Sequence, residues 1–193
     1  VLSVLALASL AGYALKDKYS VLEEQKRLAT KHVVESAHGA LVHFHALETS
    51  GKLSREQAQQ QAIAAVKALR YEGSEYFWIN DMQPAMIMHP IKPELDGKNL
   101  SAMADPNGKK LFVEFVDEVK RNGAGFVAYY WPKPGADRPV PKISYVKGFA
   151  PWGWVIGSGI YVDDVDAEFR SSARYFAGLL ALVVLVLGIA ASS

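Results

Sequence analysis

Tyr76-Phe-Trp-Ile-Asn-Asp81-Met-Gln-Pro-Ala-Met-Ile-Met88-His-Pro90 is the stretch on which the fold turns. Residues 76–79 are apolar and mostly aromatic, with strong β-propensity. Residues 80–84 carry Asn, Asp, Gln and Pro, the chemistry of a turn, and residues 85–88 are apolar again. A β-hairpin is the economical reading, and Pro90 stops its second strand. The same stretch brings Tyr76, Trp78 and His89 close together. These are large apolar faces with polar tips, at a strand end where a small ligand can be held.

Downstream, the hydrophobic period is two. Strands are expected over 125–131, 142–149 and 154–161, separated by a Pro/Gly-rich loop over 132–141 and by Pro151-Trp-Gly153. With the hairpin this makes five strands. Between hairpin and strands, residues 91–108 are irregular, and a helix starts near Lys109 with the apolar face Leu111, Phe112, Phe115, Val116 and Val119, ending at Asn122-Gly123.

Upstream the chain is helical. From Lys16 to about Ser50 there is no proline, and Val33, Val34, Ala37, Leu41, Phe44 and Leu47 recur at steps of three and four. A break near Gly39 into two helices is the alternative. Ser54-Arg-Glu-Gln57 has the capping-box spacing and opens a further helix that runs to about Arg70. Helices first, then a mostly antiparallel sheet with one inserted helix, define an α+β domain.

Half of the 193 residues are hydrophobic, but they are unevenly spread. Residues 1–15 and 175–191 are dense apolar runs, the second about 25 Å long as a helix, near the lower limit for crossing a bilayer. The chain opens with Val1 rather than Met and reads as a piece of a longer protein. The expected organisation is the end of a first transmembrane helix over 1–15, a ligand-binding domain over 16–170, and a truncated second transmembrane helix over 171–193. A cleaved secretory signal is the competing account of residues 1–15, although neither a basic leading region nor a small-residue cleavage site accompanies it. Asp163 and Asp164 suit the start of the last helix.

If the first helix continues its membrane segment, it runs about 50 residues, or about 75 Å, longer than one domain needs. That surplus length calls for a partner, and a homodimer through this helix is expected. Lys16, Lys18, Lys26, Arg27, Lys31, Arg170 and Arg174 all flank the central domain, so charge alone leaves the orientation open. The net charge of +1 gives no dedicated nucleic-acid surface, and the absence of cysteine leaves the redox compartment open.

No catalytic constellation stands out. His32, His38, His43 and His45 are separated by six, five and two positions, which defeats a shared metal on one helical face, and no cofactor motif is present. An aromatic and basic set does stand out: Tyr76, Trp78, His89, Tyr129, Trp131, Lys142 and Tyr145, with Arg70 just before the first strand. Aromatic strand residues are commonly core, and a structural module with every ring buried and Lys142 reaching solvent is the competing reading. Lys142 in an apolar strand is harder to place, because a buried cation needs an anionic or hydrogen-bonding partner. A small carboxylate would supply one. Alternation places Tyr76 with Trp78, Tyr129 with Trp131 and Lys142 opposite Tyr145, so all eight cannot face one pocket without a bulge.

Tyr76-Phe-Trp-Ile-Asn-Asp81, Met88-His-Pro90, Asp105-Pro-Asn-Gly108, Gly125-Phe-Val-Ala-Tyr-Tyr-Trp-Pro-Lys-Pro-Gly135, Pro141-Lys-Ile-Ser-Tyr-Val146 and Trp152-Gly-Trp-Val-Ile-Gly-Ser-Gly-Ile-Tyr161 together resemble the single Cache sensor domain of bacterial chemoreceptors and sensor kinases. The resemblance covers residues 16–170. It implies a long N-terminal helix packed on a PAS-like five-stranded antiparallel sheet, flanked by two transmembrane helices in an inner-membrane protein whose central domain is periplasmic. It also implies a non-enzymatic sensor for small organic acids such as acetate, propionate, pyruvate or lactate. Chemoreceptor, histidine kinase and cyclic-dinucleotide enzyme all stay open as the output.

Overall fold

The computed structural model describes the backbone of residues 2–192, and all side chains except those of residues 1–9, 11, 172, 176, 179, 180 and 182–193. In chain order the elements are α1 (Leu2–Thr49), α2 (Arg55–Ala68), β1 (Trp78–Asp81), β2 (Met86–Met88), α3 (Leu111–Asn122), β3 (Ala124–Pro132), β4 (Pro139–Phe149), β5 (Trp154–Tyr161) and α4 (Val162–Ser192). Single 3-10 turns occupy Pro93–Leu95 and Ala150–Trp152. The chain divides into a unit of Arg27–Val162 and a second unit of Val1–Lys26 with Asp163–Ser193.

The five strands form one antiparallel sheet in the order β2-β1-β5-β4-β3. The hairpin is therefore inserted beside the last strand, and β5 lies at the centre of the sheet. Helix α1 runs through Gly39 without a break. An isolated glycine costs a helix only about 1 kcal/mol, which the burial of Val34, Ala37 and Leu41 against the sheet offsets. Ser54 caps α2 in a complete capping box: its Oγ accepts the Gln57 N–H while Gln57 accepts the Ser54 N–H. Gly123, at φ 76°, ends α3 by donating its N–H to the Val119 carbonyl.

Strand β4 begins three residues earlier than the sequence pattern predicts, at Pro139 rather than Lys142. Residues 139–141 pair with β3 alone, because β5 reaches β4 only from Lys142 onward. Pro139 and Pro141 thus sit where one side of the strand needs no amide donor, the position in which a sheet tolerates proline.

The sheet is covered on both faces. On one, Val34, Ala37 and Leu41 of α1 and Ala58, Ala62 and Val66 of α2 pack against Phe77, Ile79, Tyr145, Phe149, Trp154 and Ile156. On the other, Phe112, Phe115, Val116 and Val119 of α3 pack against Tyr76, Trp78, Tyr129, Trp131, Val146 and Val155. Alternation along β4 directs Lys142, Ser144 and Val146 toward α3, and Tyr145 and Lys147 toward α1, where Lys147 lies 3.8 Å from Glu35.

In the second unit the Tyr19 hydroxyl donates to Asp166 Oδ1 at 2.8 Å, its ring meets Phe169 edge-on, and Lys26 lies 3.5 Å from Glu168. Among the described residues no helix is long and apolar enough to cross a membrane. Much of what the two expected transmembrane segments rest on, over 1–15 and 171–193, lies outside the described side chains.

Candidate functional site

Lys142 reaches into the α3 side of the sheet with 1% of its surface exposed. Its Nζ donates to the hydroxyls of Tyr76 and Tyr161, each at 3.3 Å. It also stands 4.4 Å from the centroid of each of those rings. Two aromatic faces and two phenol oxygens therefore solvate a cation taken out of water. They do so incompletely: burial lowers the Lys142 pKa from 10.5 to about 8, and the Glu75 charge opposes that shift. At neutral pH the group is still an ammonium, held in a place where a further anionic partner is favourable.

The phenols around it stay protonated. Burial pushes the Tyr76 hydroxyl up to about 12 and raises those of Tyr129 and Tyr161 above their ordinary value. Hydrogen bonds fix each ring. Tyr161 donates to the Pro132 carbonyl at 2.9 Å, Tyr129 meets Ser144 Oγ at 2.9 Å, and the Tyr76 hydroxyl accepts from Lys142 Nζ. Ser158 Oγ donates to the Tyr76 carbonyl at 2.5 Å and meets the Tyr71 hydroxyl at 2.7 Å, which ties the start of the hairpin to β5.

His89 follows β2 and is 2% exposed. Its Nδ1 accepts the backbone N–H groups of Ile91 at 3.3 Å and Lys92 at 2.9 Å, which leaves the ring proton on Nε2. Burial, then the charges of Lys142 and Lys92, push its pKa down to about 3, so the ring is neutral. It packs 5.0 Å from Tyr76 and 5.8 Å from Trp131. Tyr76, Trp78, His89, Tyr129 and Trp131, together with Leu111, Phe112 and Phe115 of α3, enclose a cleft with room for about 10 Å³, roughly one water molecule. Its walls are apolar and its donors are a phenol, an imidazole N–H and, through Tyr76, an ammonium. Such a set of donors on apolar walls suits a small anion.

Of the eight residues expected at the site, Tyr76, Trp78, His89, Tyr129, Trp131 and Lys142 lie together on the α3 side. Tyr145 does not join them: it is on the opposite face, 4.9 Å from the Phe126 ring. An odd step from Lys142 along a strand reverses the side-chain direction. Arg70 is exposed just after α2 and donates to the carbonyls of Lys67 and Leu69 at 2.8 and 2.6 Å, away from the cleft. Tyr161, outside the expected set, is the second ring against Lys142. Register was the available signal, since the last residue of β5 pairs with Lys142. The α3 residues that close the cleft carry no sequence mark separating them from ordinary core.

A helix-backed antiparallel sheet with a closed aromatic cleft beside a buried cation defines an α+β sensor domain. The chain belongs to the Single Cache domain 2 family, whose model matches residues 22–175. This is a family of ligand-binding sensors, not of enzymes. The chain is similar to the methyl-accepting chemotaxis protein McpP of Pseudomonas putida, at 48% identity over 97% of this chain and 36% of that protein. It is also similar to the sensor histidine kinase MctS of Rhizobium johnstonii, at 32% identity over 82% of this chain and 34% of that protein. The chain thus spans about a third of the length of these relatives. Among solved structures, a periplasmic sensor domain of a chemotaxis protein is 52% identical, with a TM-score of 0.71 over 72% of this chain and 96% of that one. A Cache chemosensory domain studied for its carboxylic acid recognition is also 52% identical, with a TM-score of 0.72 over 74% of this chain and 97% of that one.

Proposed function

We propose that the chain is the periplasmic sensor region of an inner-membrane chemoreceptor and binds a two- or three-carbon monocarboxylate of the acetate, propionate, pyruvate and lactate class. Lys142 carries this reading: a buried ammonium solvated by two phenols is stabilised by a carboxylate to an extent that a neutral ligand cannot match. The small cleft, which has to widen beyond its water-sized room to admit any acid, favours a short one, and carboxylic acid recognition by the 52%-identical Cache domain supports the chemical class. The acid's oxygens take hydrogen bonds from the Lys142, Tyr76 and His89 side of the cleft, and its carbon end meets Trp78, Phe115 and Trp131. Residues 1–15 and 171–193 serve as the membrane segments, and two copies pair through α1.

Similarity to the histidine kinase MctS supports a second reading, in which the same sensor drives a kinase rather than a chemotaxis output. The acid class is tested by calorimetry and thermal shift with a panel of small acids, since a ligand selective for the folded state raises the melting temperature. Monocarboxylates of two or three carbons are expected to bind, and Lys142→Ala is expected to lose about 2–5 kcal/mol of that binding. No response to any acid would reassign the domain as a structural or protein-interaction module.

A further inference from the structure

A second cavity of about 290 Å³ adjoins the cleft, and Leu111 and Trp131 line both. The rest of the outer cavity's wall is mostly apolar, with Leu95, Met103, Ala104 and three prolines, and it also carries Tyr130 and the charged residues Lys92, Glu94 and Asp105. The Asp105 carboxylate is occupied by backbone amides, accepting from Asn107, Lys109 and Tyr130 at 2.9–3.0 Å. The interior of this space therefore suits a hydrocarbon chain rather than a second charged group.

The two partition residues are held differently. Trp131 lies within the β3–β4 ladder opposite Val140, and its ring is packed against Phe112 at 5.9 Å and His89 at 5.8 Å. Leu111 is the first residue of α3, and the Lys110 N-cap makes no side-chain capping bond. Of the two, Leu111 is the one whose side chain can be shortened without breaking an aromatic stack.

The geometry points to Leu111 as the residue that sets the upper chain length of the acid, with the outer cavity as a latent compartment for the tail of linear monocarboxylates of four to six carbons. This rests on the monocarboxylate reading above. In the wild-type chain the cleft ends at Leu111, and a longer tail has nowhere to go. When Leu111 is shortened, the cleft and the apolar outer cavity become continuous, and each methylene that passes the partition is newly buried.

The test is calorimetry on the full chain with acetate, propionate, butyrate and hexanoate. Wild type is expected to bind the first two and to weaken steeply from butyrate. Leu111→Ala should still bind propionate and should gain affinity for butyrate and hexanoate over wild type by about fourfold per added methylene. Leu111→Val, which removes less and preserves an apolar first turn, should shift the limit by a smaller step and covers the case in which the alanine variant does not fold. Met103→Trp refills the outer cavity alone. It should leave acetate binding unchanged, and combined with Leu111→Ala it should abolish the gain for hexanoate. The inference is overturned if wild type binds hexanoate as tightly as propionate, or if both folded Leu111 variants keep the wild-type chain-length profile. Failure of wild type to bind any of the four acids overturns the monocarboxylate reading as well.

Discussion

Lys142 sets two free energies against each other. Its folded pKa of about 8 lies below the ordinary 10.5, so the unfolded chain holds this proton more tightly than the folded one. The sign follows directly: the destabilisation is fully present below about pH 8 and is relieved as pH rises toward 10.5. Lys142→Met, which keeps the length and drops the charge, should therefore raise the melting temperature at pH 7 while abolishing acid binding. A chemical denaturation series on the two proteins checks the first sign and calorimetry the second; a less stable Lys142→Met would contradict the incomplete solvation of the cation. An anion holds the ammonium protonated, so acid affinity should be flat from pH 6 to 7 and fall by up to about tenfold per pH unit above Lys142's own pKa. Calorimetry across pH 6–10 would show it.

His89 has a pKa shifted in the same direction, but its window lies in the acid range, so the ring is neutral where Lys142 is still charged. Its folded pKa of about 3 lies below the ordinary 6.5, so the neutral ring contributes stability that is fully present above pH 6.5 and is lost as pH falls toward 3. The loss is at most about 1.4 kcal/mol per pH unit in that window. His89→Asn, whose side-chain oxygen can accept the Ile91 and Lys92 amides, should flatten the acid limb of the stability profile relative to wild type. Equal slopes for the two proteins between pH 6 and 4 would rule out a buried neutral imidazole.

At the element scale, strand β5 seats two of the side chains that shape the cleft. Trp154-Val-Ile-Gly-Ser-Gly-Ile-Tyr161 is buried along its whole length, and its two glycines make room for neighbours. A Cβ on Gly157 would come within 2.5 Å of the Trp78 ring, and one on Gly159 would collide with Ser144 Oγ and the Ile143 carbonyl. The missing side chains thus seat the Trp78 indole and the Ser144 hydroxyl that holds Tyr129. Gly159→Ala should cost about 1–3 kcal/mol of stability and weaken acid binding, measured by urea unfolding and calorimetry. Wild-type stability in that variant would mean that β4 and β5 have slack the packing does not show.

Period-two patterning made β3 and β5 legible in the sequence to within a residue or so, and the Ser54 and Gln57 pair marked the start of α2. The strand order was not legible: that the hairpin pairs with β5 depends on long-range packing, which propensity does not encode. The face of Tyr145 was readable from its odd spacing to Lys142. Tyr161 and the α3 residues at the cleft became recognisable only with the β4–β5 register, because a tyrosine ending a strand and a leucine starting a helix are ordinary core residues until their neighbours are known.

Across the whole chain, Tyr161 is the residue that connects the proposed ligand site to α4. It closes β5, hydrogen-bonds Lys142 and the Pro132 carbonyl, and is joined by one peptide bond to Val162, the first residue of α4. A ligand shifts a two-state equilibrium only by its differential affinity for the two states, so transmission requires that the cleft bind the acid differently as α4 moves. A carboxylate that draws Lys142 toward itself changes the Tyr161 contact directly, and a displacement of about 1–2 Å along α4 is the scale of known helix-shift switches. Cysteines placed singly over positions 162–174 of this cysteine-free chain should crosslink between two copies at rates that change with helical periodicity when acid is added. Tyr161→Phe keeps the ring but loses the hydroxyl's bonds to Lys142 and to Pro132. At saturating acid it should bind and yet show a reduced change in crosslinking. Identical rates with and without a bound acid in the wild-type background would sink transmission through α4, and a full response in Tyr161→Phe would move the coupling to another residue of the cleft.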